Sequence, residues 1–267
     1  MKSMVAKIIA APFLLLLLAL VAISADDLVR GGGACGSAIY DKSAVVFDAV
    51  TICGTSGVAQ DKVDHAAAVA AQWLDNDQDG VVDEPRLLAQ LEMTEPTVLM
   101  TENGIGAWSG IRTLIAKRGI AGTQDLGAQE TDPEGGRRDA APEEIHHVIM
   151  NNGWQRLLPD TFSELDADNS VLRQAWAQAE AEGLYAYDDP TCDSSCKVTE
   201  FVYLASAAYL GSDADLQTDE LRIPDQQQLR ELAPTVVEIF ESSDYVYPLT
   251  LWPDGNYPHS ENIVPGS

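Results

Sequence analysis

The sequence predicts an α+β fold, with a small sheet-containing N-terminal lobe joined to a mostly helical C-terminal lobe. Predicted strands and helices alternate in the first half of the chain, whereas only helices follow in the second half. Apolar residues make up 46% of the 267 residues, enough for a packed core. The simplest organisation is one two-lobed domain over residues 26–267. Its sheet lobe is expected at about 38–130, its helical lobe at about 140–245 and an irregular tail over 246–267.

The sheet lobe rests on two predicted strands, at residues 44–52 and 97–101, where Val, Ile, Leu, Met and Thr are frequent. Helical spacing of apolar residues predicts a helix over residues 60–74. Pro85 suits the first position of a short helix that ends near Leu91.

The second half of the chain is predicted to be helical after a long connection. A helix is expected over residues 106–118, and residues 119–141 contain at most one short strand, near Ile120. Further helices are predicted at 142–151, 169–182, 198–210 and 225–240, the last one broken at Pro234. The tail from Tyr245 onward is expected to be irregular coil.

The N-terminus has the layout of a secretory signal peptide over residues 1–25. Two lysines precede an uncharged run over residues 8–23, and the small residues Ser24 and Ala25 suit a signal peptidase. The alternative is an uncleaved membrane anchor, but the apolar run is short and contains Pro12. The mature protein is therefore expected to be secreted or otherwise extracytoplasmic, with no membrane span after processing.

The excess of acidic over basic residues restricts which partners the protein can bind. Sixteen basic and 42 acidic residues give a formal net charge of −26. Such a surface repels nucleic acid and anionic membranes and attracts cations. A protein or peptide substrate or partner remains open, and so does the oligomeric state.

Four cysteines form two pairs that are close in sequence, Cys35 with Cys53 and Cys192 with Cys196. In an oxidising compartment, local pairing predicts two disulfides, although three connectivities are formally possible. A zinc site of four thiolates is the competing interpretation, which export and the C-x3-C spacing disfavour.

An acidic loop indicates a calcium site. Asp75, Asp77 and Asp79 alternate before Gly80, so that their carboxylates can converge on one hard cation. This pattern is the first half of an EF-hand loop, which would use the backbone carbonyl of Val81 as the next ligand. We expect calcium to bind with a Kd of roughly 10⁻⁴ to 10⁻³ M.

The second half of that loop departs from an EF-hand. Arg86 occupies the twelfth position, where a bidentate Glu should stand, so Asp83 or Glu84 must complete the calcium shell. The alternative is an acidic turn exposed to solvent that caps the next helix. Three clustered like charges without a counter-ion argue against that alternative.

The segment Glu143-Glu144-Ile145-His146-His147 opens a helix and has the spacing of the zinc-peptidase motif H-E-x-x-H, with Glu143 in place of the first His. Glu143 and His147 would bind zinc, and Glu144 would activate a metal-bound water as the catalytic residue. The alternative is that the two glutamates complement the helix dipole and that the histidines form a surface pair with one packed ring.

The chain resembles a family of exported, largely uncharacterised proteins that combine the D-x-D-x-D-G loop, a Glu-Glu-x-x-His helix and a Cys-x3-Cys before a Thr-Glu-[Phe/Tyr] helix. The two helices also resemble the catalytic lobe of zincin metallopeptidases of the anthrax-lethal-factor type. That resemblance implies a zincin-like fold with Glu200 as third zinc ligand. It also implies that Tyr185 or Tyr187 assists the oxyanion.

Three classes of function remain in view. The leading one is an extracytoplasmic calcium-binding protein with a zincin-like, vestigial metal site. The second is an active zinc metallopeptidase, and the third is a non-enzymatic secreted surface or matrix binding protein. Calcium is thus the expected cofactor, with zinc as the additional candidate.

Overall fold

The computed structural model describes Cys35, residues 40–104 and residues 123–266. The predicted signal peptide and the helix predicted over residues 106–118 lie outside the described residues. Within those residues, none of the helices is both long and apolar enough to cross a membrane.

The chain forms a five-stranded mixed sheet together with helices, which confirms the α+β fold. The strands are β1 Tyr40–Val46, β2 Val50–Thr55, β3 Thr97–Thr101, β4 Thr123–Gly127 and β5 Ile263–Gly266, in the spatial order β4-β3-β2-β1-β5. β1 pairs antiparallel with both β2 and β5, whereas β2–β3 and β3–β4 are parallel. The parallel pairs require crossovers, and α1 and α2 lie within the connection from β2 to β3.

The single strand predicted over residues 44–52 is wrong, because the chain turns back in the middle of that segment. Phe47 and Asp48 both have positive φ, 49° and 54°, and the amide of Ala49 donates to the carbonyl of Val46 at 2.9 Å. A two-residue hairpin with positive φ at both central positions follows the right-handed twist of the strands. Such turns usually contain Gly or Asn, so a turn with Phe47 at its first central position could not be recognised from the sequence.

The tail was predicted to be irregular coil, but it ends in the edge strand β5. A short 3₁₀ turn over Ser260–Asn262 leads into β5. Val46 pairs with Ile263 and Ser43 with Gly266. The last described residues of the chain therefore complete the sheet of the N-terminal part.

Nine helical segments occur among the described residues, and the two short ones over 155–157 and 159–162 were not predicted. They are α1 Gln60–Leu74, α2 Pro85–Thr94, α3 Ala141–Ile149, α4 Gln155–Leu157, α5 Pro159–Phe162, α6 Val171–Ala181, α7 Ser194–Leu210, α8 Gln226–Leu232 and α9 Pro234–Phe240. Pro234 separates α8 from α9 as expected, because proline cannot donate the hydrogen bond that would continue α8. A π-helical turn, Met150–Trp154, extends α3.

Helix α3 occupies the centre of the molecule. It contacts β3 and β4 on one side, and α1 and α7 on others. Helix α7 is buried from Val198 to Ala208, which suits a helix enclosed by neighbours on all sides. One continuous hydrophobic cluster therefore runs from the sheet through α3 into the helical part.

Two disulfides form as predicted. Cys35 bonds to Cys53 on β2, and Cys192 bonds to Cys196 in the first turn of α7. Disulfides persist in oxidising compartments, so they indicate an environment outside the cytoplasm.

Candidate metal sites

Helix α3 carries the Glu-Glu-x-His-His segment, in which both histidines are buried and both glutamates are partly buried. Pro142 stands in its first turn, where its missing N–H costs nothing. The indole of Trp73, at the end of α1, donates to the carbonyl of Pro142 at 3.0 Å. This hydrogen bond and the contact with the sheet determine which residues of α3 face α7.

The structure brings the three predicted zinc ligands together. One ligand atom each from Glu143, His147 and Glu200 lies within 4.8 Å of the other two. His147 Nε2 is 3.4 Å from Glu200 Oε2. Two helices that are distant in sequence thus place an imidazole and two carboxylates around one point.

The imidazole of His147 lacks a normal partner. Its Nε2 is buried and makes no hydrogen bond of acceptable geometry with any described residue. His147 is 7% exposed and Glu200 is 8% exposed, so water does not replace that partner freely. A buried polar atom without a partner is unfavourable by about 1–3 kcal/mol and calls for an explanation.

The electrostatics of the pocket favour a positive charge at His147. Burial alone would lower the pKa of this imidazole, but the negative charges of Glu200 and Glu144 outweigh burial and raise the pKa to about 10. The carboxylates therefore stabilise a cation beside the ring. In the metal-free protein that cation is the proton on His147.

Glu144, the predicted catalytic residue, lies beside the other ring nitrogen. Its Oε2 is 3.7 Å from His147 Nδ1, and the same oxygen accepts a hydrogen bond from the side-chain amide of Gln124 on β4. Glu144 is thus held at the edge of the sheet, next to the imidazole and outside the three-residue ligand group.

The two predicted oxyanion residues differ in their surroundings. The Tyr185 hydroxyl donates to the backbone carbonyl of Lys197 at 3.1 Å, so this phenol is committed to the main chain. Burial and then the charge of Glu200 raise the pKa of Tyr187 to about 12. Of the two predicted oxyanion residues, Tyr187 is therefore the one whose phenol is not bound to Lys197.

Sequence reasoning missed Arg138 and Asp215. Arg138 donates from Nε to Asp215 Oδ1 at 2.6 Å, and one of its terminal nitrogens contacts Glu143 Oε2. The Tyr203 hydroxyl donates to the same Asp215 oxygen at 2.5 Å. Arg138 and Asp215 are 77 residues apart, and no local pattern could have revealed their pairing.

His146 is a core residue, which excludes the surface-pair alternative for the two histidines. Its ring packs 5.0 Å from the ring of Trp73 and 5.6 Å from that of Tyr203, and its Nε2 lies 3.0 Å from the Tyr247 hydroxyl. Burial, and to a smaller extent His147, lowers the pKa of His146 well below its ordinary value. His146 is therefore neutral and structural.

The acidic loop forms the second candidate site. Carboxylate oxygens of Asp75, Asp77 and Asp83 lie within 4.8 Å of one another. Gly80 has a φ of +90°, a conformation that L side chains rarely adopt, so the sharp turn depends on glycine. Asp75 is fully buried, which excludes an entirely solvent-exposed acidic turn.

Asp79 and Glu84 are not part of this carboxylate group. Asp79 Oδ1 accepts from the amide of Val81 at 2.8 Å. Glu84 accepts from the amide of Arg86 at the start of α2, and both of its oxygens bind the Arg86 guanidinium. The guanidinium thus engages Glu84 and leaves Asp83 as the downstream member of the group.

Crowding of like charges is visible at Asp83. Burial, followed by the charges of Asp77, Asp75 and Asp79, raises the pKa of Asp83 to about 6, against a hydrogen bond from the amide of Asn76. A bound cation would relieve this repulsion.

The C-terminal tail covers the acidic loop. The Tyr257 hydroxyl donates to Asp75 Oδ2 at 2.5 Å, His259 Nε2 donates to the carbonyl of Gln78 at 2.9 Å, and the Asn262 amide donates to the carbonyl of Gly80 at 3.0 Å. These contacts join segments about 180 residues apart and were not predicted.

Comparison of the chain with protein-family models, with curated proteins and with solved structures finds no match.

The metal-free protein should lose stability as His147 deprotonates. Its folded-state pKa of about 10 exceeds the ordinary 6.5. The charged ring therefore stabilises the fold fully below pH 6.5, and this contribution is lost as the pH rises through about 10. In chelator-treated protein, the free energy of unfolding of wild type relative to His147→Gln should fall between pH 7 and pH 10 in urea denaturation.

The same measurement on Glu200→Gln provides the check on the cause. Without the charge of Glu200, the pH dependence contributed by His147 should shrink. A wild-type advantage over His147→Gln that stays constant from pH 7 to pH 10 would contradict this electrostatic account.

Proposed function

We propose that this protein is an extracytoplasmic metalloprotein that binds zinc or a similar divalent transition-metal ion through Glu143, His147 and Glu200. The observation that carries the proposal is the buried Nε2 of His147, which makes no hydrogen bond of normal geometry and lies at ion-pair distance from a carboxylate of a second helix. A divalent ion would satisfy that nitrogen and neutralise both glutamates at once.

The donor set fits such an ion. Catalytic zinc sites use three protein ligands drawn from His, Asp, Glu and Cys, and they leave a fourth position open. One imidazole and two carboxylates form a harder set than two imidazoles and a carboxylate, so manganese and cobalt are also compatible. When bound, the ion would supply Lewis acidity and lower the pKa of a coordinated water.

The expected result is one equivalent of zinc per chain in calorimetric titration of chelator-treated protein. His147→Gln should weaken zinc binding by more than about 100-fold, because groups that merely orient a ligand already contribute about 10–100-fold. Mass spectrometry of the metal content after dialysis gives an independent measurement.

His65→Gln is the matched control, because His65 also lies on a helix and pairs with a carboxylate, Asp139, at 2.6 Å. It lies outside the three-residue ligand group and should leave zinc binding unchanged. Equal zinc affinity of wild type and His147→Gln, with both folded, would refute the site.

The position of Glu144 favours a second candidate function, an active zinc metallopeptidase. Glu144 lies next to the ligand His147 and is held by Gln124 on the edge of the sheet. A carboxylate beside a metal site can act as a general base. The resemblance to zincins of the anthrax-lethal-factor type supports the same role, with Tyr187 as the nearby phenol.

For the peptidase, Glu144→Gln should retain zinc and lower the hydrolysis of a generic unfolded protein substrate by about 10²–10⁴-fold, the usual contribution of general acid–base catalysis. Cleavage followed by peptide mass spectrometry, with and without chelator, measures this. Zinc binding by wild type without chelator-sensitive cleavage would leave a non-enzymatic binding protein.

We further propose that calcium binds to Asp75, Asp77 and Asp83. In about 10 mM calcium, a site with a Kd of 10⁻⁴ to 10⁻³ M stabilises the fold by roughly 1.4–2.7 kcal/mol. For a domain of this size the melting temperature should rise by about 3–10 °C. Asp77→Asn should remove most of that rise, since Asp77 is the exposed member of the group and its substitution leaves the core intact.

Asp64→Asn on α1 is the matched control, because this carboxylate is exposed and accepts a hydrogen bond from Gln60 within the same helix. It should preserve the calcium-dependent rise. A calcium effect of the same size in wild type and Asp77→Asn would show that calcium acts elsewhere.

The extracytoplasmic location is supported by the two disulfides and by the signal-peptide pattern of residues 1–25. Calcium in the millimolar range is available outside cells, which suits a site of the predicted affinity. The excess of acidic residues supports binding of cations and disfavours nucleic acid as a partner.

A further inference from the structure

We propose that Arg138 is a positioning residue that orients Glu143 as a ligand through a single oxygen. The inference rests on the proposed metal site and concerns a residue outside the Glu-Glu-x-His-His segment. Arg138 contacts Glu143 Oε2, which leaves Oε1 for the ion.

Arg138 is anchored independently of Glu143. Asp215, which is 4% exposed, accepts hydrogen bonds from Arg138 Nε at 2.6 Å, from the Tyr203 hydroxyl at 2.5 Å and from the Ser212 hydroxyl at 2.5 Å. The guanidinium also lies 5.9 Å from the centre of the Tyr203 ring. Because the guanidinium is planar and held at Nε, the direction of its remaining donors is fixed.

The fixed direction matters because Glu143 replaces a histidine in the motif. An imidazole offers one nitrogen to a metal, whereas a free carboxylate can bind through one or both oxygens. Engaging Oε2 with Arg138 gives Glu143 the single-atom character of an imidazole. Hydrogen bonds that orient ligands in this way commonly contribute about 10–100-fold to metal affinity.

The positive charge of Arg138 and its role in orienting Glu143 predict opposite changes in ion affinity when Arg138 is removed. By charge alone, loss of a cation next to Glu143 would strengthen the binding of a divalent ion. By orientation, the same loss frees the Glu143 carboxylate to rotate and weakens binding. A purely structural ion pair between Glu143, Arg138 and Asp215 would alter the stability of the fold without weakening the ion's binding.

The experiment is a Co²⁺ titration of the chelator-treated full chain, followed by visible absorption. The intensity of the cobalt bands reports the coordination number, and the titration gives the affinity. Arg138→Met should lower the cobalt affinity by about 10–100-fold, and the band intensities should change because a freely rotating Glu143 carboxylate no longer offers one fixed oxygen. Arg138→Lys should also weaken binding, since an ammonium is a point charge that cannot hold Asp215 and Glu143 in one plane.

Arg230→Met is the matched control. Arg230 likewise pairs with a glutamate, Glu241, and lies 5.5 Å from the centre of a tyrosine ring, Tyr209. Its substitution should leave both the cobalt spectrum and the affinity unchanged. If Arg138→Met fails to fold by circular dichroism, the double variant Arg138→Met with Asp215→Asn removes the buried anion together with its cation and is titrated instead.

The outcomes separate the inference from the site on which it rests. Wild type that binds no cobalt would sink the metal site itself. Wild type that binds, with Arg138→Met binding equally well or more tightly and with the same spectrum, would overturn the role of Arg138 alone. Full restoration by Arg138→Lys would also overturn it, because a single ammonium donor would then suffice without the planar guanidinium that Asp215 holds.

Discussion

Helix α3, Ala141–Ile149, is enclosed between the sheet and α7, and this enclosure is the constraint on which the candidate site depends. The enclosure buries ionisable side chains of both helices. His147 and Glu200 face each other from these two helices with little exposure to water. Buried charges are unfavourable by several kcal/mol unless they are compensated. A proton on His147 compensates them in the metal-free protein, and a divalent ion bound by Nε2 and the neighbouring carboxylates would do so more completely. The burial of these charged groups therefore both destabilises the fold and favours the binding of a cation.

Helix α1 connects the two candidate sites mechanically. It ends at Leu74, directly before Asp75 of the acidic loop, and its Trp73 reaches α3 through the carbonyl of Pro142. Trp252 from the tail packs against Trp73, with 5.6 Å between ring centres. Helices α1 and α3 and the tail thus share one set of packed rings, Trp73, His146 and Trp252. Packed side chains rather than a flexible linker therefore lie between the acidic loop and α3.

Sequence reasoning recovered what depends on neighbours along the chain. The periodicity of apolar residues gave helices α1 and α7, and the local cysteine spacing gave both disulfides. The three candidate ligands of the first site were predicted from spacing on α3 together with the resemblance for Glu200. What was missed depends on distant contacts, such as the pairing of β5 with β1 and of Arg138 with Asp215. One missed feature was local, since a guanidinium two residues after Glu84 is well placed to engage it.

The few basic residues decide which of the many carboxylates remain for metal ions. In a chain with 42 acidic and 16 basic residues, a cluster of carboxylates by itself says little about binding. Arg86 engages both oxygens of Glu84, whereas Arg138 contacts only one oxygen of Glu143. The first arrangement removes a candidate ligand from the acidic loop, and the second leaves one oxygen available. The positions of the two arginines are therefore more informative about metal binding than the total charge.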